Sequence, residues 1–309
     1  MHWDLAVFLN FSQDHLDYHK TLDHYFASKS LLFSRELVSS EKEDKLAVLN
    51  FDDSRIYGLS ASEHAGSGFK VISFSEKSEK ADACMLEKSV SLRGLSFKVN
   101  LKDKGVASIQ SKLSGEYNVS NLLALVAILS GIGWSIEQIE STIPKLNPVP
   151  GRLERIEDST RAIFVDYAHT PDALDRVARS LKKLTEGRLI VVFGCGGDRD
   201  KAKRALMARA VEETADFAVV TSDNPRTENP DAIISDIVGG FSGLDCFGYK
   251  VLSDRRAAID LALELGQAGD TILVAGKGHE DYQEINGVKE PFDDRIVLQE
   301  ALGEKTIGS

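Results

Sequence analysis

The segment AIFVDYAHTPDALDRVARSLKKL, residues 162–184, decides the fold. It opens with a short apolar run, Ala162–Val165, which predicts a buried strand. Thr170-Pro171-Asp172 follows, with a capping side chain, a proline at the first helical position and an acidic first turn. The segment therefore predicts a strand, a loop and then a helix that extends to about Leu184.

The same pattern repeats along the rest of the chain. The predicted strands are Leu189–Phe193, Phe217–Thr221, Tyr249–Leu252 and Thr271–Ala275, and the predicted helices are Lys203–Glu213, Pro230–Val238 and Arg255–Leu265. Strands that alternate with helices indicate a mostly parallel, doubly wound α/β sheet of the Rossmann-like kind. Such sheets bind ligands beyond the carboxyl ends of their strands. The loops expected to carry chemistry open at Asp166, Gly194, Ser222 and Gly276.

A proline-rich stretch divides the chain. Pro144, Pro148 and Pro150 precede Gly151, and such a stretch cannot continue a helix. We therefore place a boundary here, between a domain at 1–150 and a domain at 151–309. In the first domain the predicted strands are Leu5–Leu9, Leu46–Phe51, Val71–Phe74 and Leu92–Val99, and the predicted helices are Tyr25–Phe33 and Val119–Leu129.

Composition excludes several classes of protein. The 309 residues carry 37 Lys and Arg against 48 Asp and Glu, a formal net charge of −11. So acidic a chain repels phosphate backbones and anionic lipids, and neither a nucleic acid nor a membrane is expected as a partner. The longest apolar run is far shorter than the roughly 20 residues that span a membrane. Three scattered cysteines and no signal-peptide pattern favour a cytoplasmic protein.

Two nucleotide-binding fingerprints are absent from the 309 residues. The phosphate-binding loop requires GxxxxGK[ST], but Gly276-Lys277 is followed by Gly278. The dinucleotide fingerprint GxGxxG also fails, because Gly194-Cys195-Gly196 would need a glycine where Arg199 stands. A hydride-transferring oxidoreductase is therefore disfavoured, although the predicted sheet is of that general kind.

Potential metal ligands cluster near the amino terminus. Residues 10–19, NFSQDHLDYH, contain two acids and two histidines, and imidazole and carboxylate both bind divalent metals. A solvated helix start with histidines four residues apart explains the same pattern, and spacing alone does not choose between the two. Further on, Lys29 lies in an apolar helical pattern, where a lone lysine usually extends its amine to solvent.

Seven motifs, in order, resemble those of the Mur ligase family, ATP-dependent enzymes that build the peptide stem of cell-wall precursors. They are DHLDYH (14–19) with ASK (27–29), GEYNVSN (115–121), GRLE (151–154), DYAHTPDA (166–173), GCGGDRDK (194–201), DNPR (223–226) and GKGHEDY (276–282). The resemblance implies that 1–150 is the carboxyl-terminal part of the family's central ATPase domain and that 151–309 is its amino-acid-binding domain. The family's amino-terminal domain and phosphate-binding loop are not found here, and Ala202 and Ala205 stand where glycine and proline are expected. The chain is therefore expected to be truncated and inactive alone.

The resemblance implies a particular reaction. The last three motifs are similar to those of the branch that adds meso-diaminopimelate to UDP-N-acetylmuramoyl-L-alanyl-D-glutamate. Such an enzyme would use ATP and Mg²⁺ to phosphorylate the acceptor carboxylate, and an amine would then attack the acyl phosphate. The implied partners are therefore small molecules: ATP, the UDP-linked dipeptide and meso-diaminopimelate.

The resemblance also implies roles for individual residues. Lys29 matches a lysine whose carbamate holds a second magnesium, and His15 matches a histidine ligand of that metal. Burial of Lys29 would supply the uncharged amine that carbamylation needs. Arg152 matches an arginine that reaches the γ-phosphate and joins these two as a catalytic candidate. The implied nucleotide-binding residues are Asn118, Asn121, Arg152, Asp166 and His169. The two asparagines are equally suited to capping a helix.

The implied amino-acid site is the most specific. Meso-diaminopimelate keeps a zwitterionic distal end after its other end reacts. Arg226 can bind that carboxylate through two parallel hydrogen bonds, and Glu280 can bind the ammonium. Gly276 would let the backbone approach closely. The full substrate-binding set is Arg199, Asp223, Asn224, Pro225, Arg226, Gly276 and Glu280. An arginine that follows a turn is also a common surface charge.

Other functions are alternatives to this ligase. A non-catalytic module that binds meso-diaminopimelate would use the same residues without turnover. A folate-polyglutamate ligase belongs to the same class of enzyme, but Asp223-Asn224-Pro225-Arg226 argues against it. The nicotinamide-dependent oxidoreductase lacks its fingerprint.

Overall fold

The computed structural model describes residues 2–11, 19–61, 68–243 and 247–303. The chain divides into two compact units. Unit 1 comprises Met1–Val90, Gly94–Lys112 and Glu116–Leu146, and unit 2 comprises Ser91–Arg93, Leu113–Gly115 and Asn147–Ser309. Each unit has its own sheet.

The strands of unit 1 are β1 (Leu5–Phe8), β2 (Leu46–Asn50), β3 (Lys70–Ser75), β4 (Ala83–Ser91), β5 (Gly94–Leu101) and β6 (Gly105–Ser111). In the described residues they form one sheet in chain order, parallel from β1 to β4 and antiparallel between β5 and β6. The predicted strand at 92–99 was wrong in extent, because its first two residues lie in the turn between β4 and β5. β4 was missed because its middle residues, 86–89, are all exposed or nearly so and give no apolar alternation.

The helices of unit 1 are α1 (Leu22–Leu31), α2 (Ser54–Gly58), α3 (Tyr117–Gly131) and α4 (Ile136–Thr142). α1 continues into a π-helical segment, Leu32–Leu37. α3 buries an apolar series of side chains and packs against β2, β3 and β5. In the described parts of the chain, no helix is long and apolar enough to cross a membrane.

The strands of unit 2 are β7 (Glu154–Ile156), β8 (Ala162–Asp166), β9 (Leu189–Phe193), β10 (Phe217–Val220), β11 (Gly248–Val251) and β12 (Thr271–Ala275). They form a sheet in the order β11-β10-β9-β12-β8-β7. All neighbours are parallel except β7, which is antiparallel to β8. The predicted doubly wound α/β sheet is confirmed.

The helices of unit 2 are α5 (Pro171–Lys182), α6 (Ala202–Glu212), α7 (Pro230–Val238), α8 (Arg255–Leu265) and α9 (Asp294–Ala301). They cover both faces of the sheet. Alternate residues of each strand point to opposite faces, and each face packs against its own set of helices. Phe164 and Leu273 join an apolar cluster with α5, α6 and α7. Ile163 and Ile272 join a second cluster with α8 and α9. Two further strands, β13 (Tyr282–Ile285) and β14 (Val288–Pro291), form a hairpin.

Candidate active site

The strand register of unit 2 brings four loops to one edge of its sheet. Ala275 at the end of β12 pairs with Asp166 at the end of β8. Val220 of β10 pairs with Phe193 of β9, and β9 is also parallel to β12. The loops that follow these four strands therefore open side by side, and they carry the motifs singled out in the sequence.

Both carboxylate oxygens of Asp166 accept hydrogen bonds from backbone N–H groups. The N–H of Leu153 donates to Oδ2 at 2.7 Å, and the N–H of Ala168 donates to Oδ1 at 2.8 Å. Burial raises the pKa of this carboxyl, while the two N–H donors and the charge of Arg152 oppose the rise. Leu153 has a φ of 45°, in the left-handed region. Asp166 thus fixes a strained turn directly after Arg152.

Arg152 is exposed and stacks on an aromatic ring. Its guanidinium carbon lies 4.6 Å from the centre of the Tyr167 ring, an attractive cation–π arrangement. The rings of His169 and His279 lie 4.5 Å and 5.3 Å from the same ring. In the described chain no carboxylate forms an ion pair with Arg152, so its charge is available to an anionic group.

The Arg152 turn also packs tightly on the loop after β12. Gly151 has a φ of 65°, and a Cβ built on it would lie 2.0 Å from the carbonyl carbon of Gly278. Gly278 has a φ of 55°, and a Cβ there would lie 2.6 Å from the Cβ of Tyr167. Only glycine permits both the backbone conformation and this approach. The two loops are therefore held against each other by backbone contacts.

Lys277 is fully buried at the centre of the site, and sequence reasoning did not select it. Its ammonium donates to Asn224 Oδ1 at 3.0 Å and to the carbonyl of Tyr282 at 2.6 Å. Carboxylate oxygens of Asp223 and Glu280 lie 3.7 Å and 3.8 Å away. Burial lowers the pKa of Lys277, and the charge of Asp223 is the largest influence against that change.

Asp223 and Gly276 face each other beside Lys277. Asp223 is 7% exposed, and among the described residues its Oδ1 has no hydrogen-bond partner. A Cβ on Gly276 would lie 3.7 Å from this carboxyl group. A buried carboxylate oxygen without a donor is costly, so this atom marks a position where a donor group of a ligand would be stabilised.

Arg226 lies at the rim of the same cluster. Its φ of 53° is unusual for a residue with a side chain. The backbone is held by β13, because the N–H of Arg226 donates to Glu284 and its carbonyl accepts from Asn286. The side chain is half-buried, and Nη1 donates to the carbonyl of Gly197 at 2.7 Å. Its Nε lies 3.8 Å from a carboxylate oxygen of Glu284. A guanidinium has five N–H donors, so these two contacts leave others for a ligand.

Pro225 and Arg199 lie on two loops that are joined by hydrogen bonds. The N–H of Gly197 donates to the carbonyl of Asn224 at 2.9 Å. A Cβ on Gly197 would lie 2.0 Å from the carbonyl oxygen of Pro225. Arg199 itself is exposed, and within the described residues it forms no ion pair. The loop therefore presents this charge to solvent beside Arg226.

A buried ion pair supports two of these loops, and the sequence analysis did not select either of its residues. Arg255, at the start of α8, forms a bidentate pair with Asp294, and neither side chain is exposed. The same guanidinium donates to the carbonyls of Ser222 at 3.3 Å and Ala275 at 3.0 Å. These carbonyls directly precede Asp223 and Gly276. Although burial opposes it, Asp294 raises the pKa of Arg255.

The candidate residues of unit 1 have fewer contacts. Asn118 and Asn121 lie inside α3, whose N-cap is Glu116, so the capping interpretation was wrong. The Asn121 amide donates to Asn118 Oδ1 at 3.1 Å. Lys29 is exposed, with its ammonium 4.9 Å from the centre of the Tyr25 ring. The burial expected for Lys29 was therefore wrong.

Neither a metal site nor a reactive thiol is found among the described residues. His15 lies outside the described residues. Among those that are described, no group of three or more His, Cys, Asp or Glu side chains could hold a metal ion. Cys195, on the loop after β9, is buried, and burial raises its pKa to about 12. A thiol of this kind stays protonated and is not a nucleophile near neutral pH.

Comparison with known proteins identifies the family. Residues 1–129 match the Mur ligase middle domain, and residues 151–278 match the Mur ligase glutamate ligase domain. A UDP-N-acetylmuramoyl-L-alanyl-D-glutamate–2,6-diaminopimelate ligase of Nostoc sp. is 43% identical over 306 residues, which are 98% of this chain and 60% of the relative. The counterpart from Aquifex aeolicus is 41% identical over 97% of this chain and 59% of its own length.

A solved structure of a ligase with the same name agrees with these matches. It is 40% identical, with a TM-score of 0.70 over 97% of this chain and 60% of that structure. The chain belongs to the Mur ligase family. It spans about 60% of the length of the curated relatives it matches.

Proposed function

We propose that this chain supplies the amino-acid site and part of the nucleotide site of a ligase that adds meso-diaminopimelate to UDP-N-acetylmuramoyl-L-alanyl-D-glutamate. The observation that carries the proposal is the charge pattern at one edge of the unit 2 sheet. There the carboxylates of Asp223 and Glu280 lie 3.7 Å and 3.8 Å from the buried ammonium of Lys277, and the loop that carries Asp223 also carries the guanidinium of Arg226. Relatives named for this reaction are 41–43% identical to the chain.

This charge pattern suits the distal end of meso-diaminopimelate, which carries one carboxylate and one ammonium. We assign the carboxylate to Arg226, with Arg199 as a second donor from the neighbouring loop. We assign the ammonium to Glu280 and to the Oδ1 atom of Asp223, which within the described residues has no hydrogen-bond donor and lies 3.7 Å from the Lys277 ammonium. A ligand with only one of these groups would leave either the cationic or the anionic side unmatched.

The nucleotide site is proposed from different residues. Arg152 has an available charge that suits a phosphate, and the His169 ring beside the same Tyr167 offers a polar contact. The nucleotide-binding roles of Asn118 and Asn121, which lie in unit 1, stay predictions. Both oxygens of Asp166 are bound to backbone, so its proposed part is to fix the Arg152 turn. When bound, ATP would supply the phosphoryl group that activates the acceptor carboxylate.

The magnesium proposal rests on the family alone. The described residues contain no ligand set for a metal, and Lys29 is exposed, so they do not fit the carbamate site. His15 and a carbamylated Lys29 stay predictions, as does the cytoplasmic location.

Calorimetric titration of the 309-residue chain with meso-diaminopimelate tests the proposal. L-lysine, which lacks the distal carboxylate, should bind at least about tenfold more weakly. Arg226→Ala should weaken meso-diaminopimelate binding by tens- to hundreds-fold, because a charge-assisted bidentate contact is lost. Arg209→Ala, which removes an exposed arginine from α6, should change nothing. Equal binding of the two amino acids, or an unaffected Arg226→Ala variant, contradicts the proposal.

A further inference from the structure

Lys277 is one of three groups that fix which way the Asn224 amide faces. Asn224 Oδ1 accepts from the Lys277 ammonium at 3.0 Å and from the N–H of Glu284 at 3.0 Å. Both of these groups can only donate, so the amide oxygen must point at them. The amide nitrogen then points the other way and donates to Glu280 Oε2 at 2.8 Å. One of its two hydrogens remains for a ligand acceptor.

Lys277 also sets the charge of the site. Five ionisable side chains act on one another in the buried part of the cluster: Lys277 and Asp223 at the strand ends, Glu280 on the same loop as Lys277, Arg255 on α8 and Asp294 on α9. Two are cations and three are carboxylates. Arg255 is paired with Asp294, and Arg226 at the rim is paired with Glu284. Lys277 is therefore the cation that balances Asp223 and Glu280. One negative charge is left over.

We propose that Lys277 is a specificity-setting positioning residue: its buried ammonium is the counter-ion of Asp223 and Glu280, and it helps to orient the Asn224 amide so that the nitrogen is the donor toward Glu280 and a ligand. The site then presents one surplus negative charge beside an N–H donor, which selects an amino-acid zwitterion. The proposal rests on the function proposed above. Lys277 would act through its neighbours and would not touch the reacting atoms.

A stability measurement without any ligand tests the counter-ion role. Lys277→Met retains the length of the side chain but removes its charge. Without that charge, the folded site holds two carboxylates that have lost their buried counter-ion, which is costly only while they are ionised and therefore costs more at higher pH. The melting temperature of Lys277→Met should therefore drop further below that of the parent chain at pH 8.5 than at pH 6.5, by about 5 °C.

Lys289→Met is the matched control. Lys289 is exposed on β14, and its ammonium lies 4.1 Å from the ring of Tyr282, the residue whose carbonyl accepts from Lys277. This variant should melt like the parent at both pH values. A loss that is the same at pH 6.5 and pH 8.5 for Lys277→Met would mean that Lys277 only fills space, and would overturn the inference.

Ligand binding tests the specificity role. In Lys277→Met the two carboxylates have lost their buried counter-ion, and a proton taken up in its place should be displaced by the ammonium of meso-diaminopimelate. Titrations in two buffers of different ionisation enthalpy would then reveal proton release, which the parent chain should not show. The preference for meso-diaminopimelate over 2-aminopimelate, which lacks one ammonium, should shrink about tenfold.

The outcomes separate the two proposals. If the parent chain binds meso-diaminopimelate and Lys277→Met keeps the same preference without proton release, the role of Lys277 is refuted and the proposed function stands. If the parent chain does not bind meso-diaminopimelate, the proposed function fails on this chain, and the melting data still decide whether Lys277 is the counter-ion.

Discussion

Asp166 and Lys277 reverse the roles that their residue types suggest. An aspartate at the end of a parallel strand is placed to contact a ligand, but both of its oxygens hold the backbone of residues 153 and 168. A lysine between two glycines suggests a flexible surface loop, yet Lys277 is fully buried. Lysine is almost never buried without a partner. Glu280 and Tyr282 follow closely in the sequence, but Asn224 lies 53 positions away, next to Asp223. Only the folded register of the strands brings them together.

The position of Arg255 in the sequence is a weak indication of a buried ion pair, and the sequence analysis did not use it. It occupies the first position of α8, where the positive end of the helix dipole disfavours a cation. A cation at that position is therefore a hint of a nearby acid. The hint does not identify Asp294, because that residue lies 39 positions further along the chain.

Asp166→Asn should destabilise the chain by about 1–3 kcal/mol. An asparagine has one acceptor oxygen, so its amide nitrogen would face one of the two backbone N–H groups and leave it unpaired. Chemical denaturation of the parent and the variant measures the difference. Asp260→Asn removes an exposed carboxylate from α8 and should cost much less. Equal stability of parent and Asp166→Asn would mean that the turn after Arg152 is not held by this carboxylate.

At the scale of helices and strands, the sequence predicted most accurately those elements whose residues are all buried or all share the same surroundings. All five residues of β9 and of β12 are buried, and the continuous apolar runs predicted both strands with their correct bounds. The cap side chain of Thr170 likewise predicted the start of α5. β4 was missed because its exposed middle residues do not alternate, and β6 was missed because its alternation is carried largely by small side chains.

Gly151→Ala should disrupt the contact between the Arg152 turn and the loop after β12. The new methyl group would collide with Gly278 at a backbone conformation that already disfavours a side chain, so the loss should exceed about 1 kcal/mol. Gly269→Ala separates the two causes, since its φ is 85° but nothing lies within 4 Å of the new Cβ. It should cost less in thermal denaturation. If both variants lose the same stability, the backbone conformation alone explains the effect and the contact contributes nothing.

At the scale of the whole molecule, the alternation of strands and helices predicted the architecture of unit 2 but not its separation from the rest of the chain. Residues 91–93 and 113–115 belong to unit 2 although they precede the proline-rich stretch. No local pattern marks them, because their assignment depends on contacts with residues distant in the sequence. The boundary at 150 stays a prediction about how the chain folds.

A fragment of residues 147–309 should fold alone. Its sheet is covered on both faces by apolar clusters drawn almost entirely from these residues, and a complete core is what independent folding requires. It should unfold cooperatively on heating, and hydrogen exchange should be slowest in β9 and β12. Limited proteolysis of the whole chain should release a similar piece, because Val149 is 65% exposed. A fragment that unfolds without a cooperative transition would contradict the prediction.

The close approach of Gly151 and Gly278 has a consequence for inheritance. Every single-base change that turns a glycine codon into that of another amino acid adds a Cβ atom. At these two positions the space for that atom is already taken by backbone or by Tyr167. Neither codon therefore has a mild missense allele, whereas the codons of Gly269 and Gly287, whose Cβ positions are open, can drift at the cost of backbone strain alone.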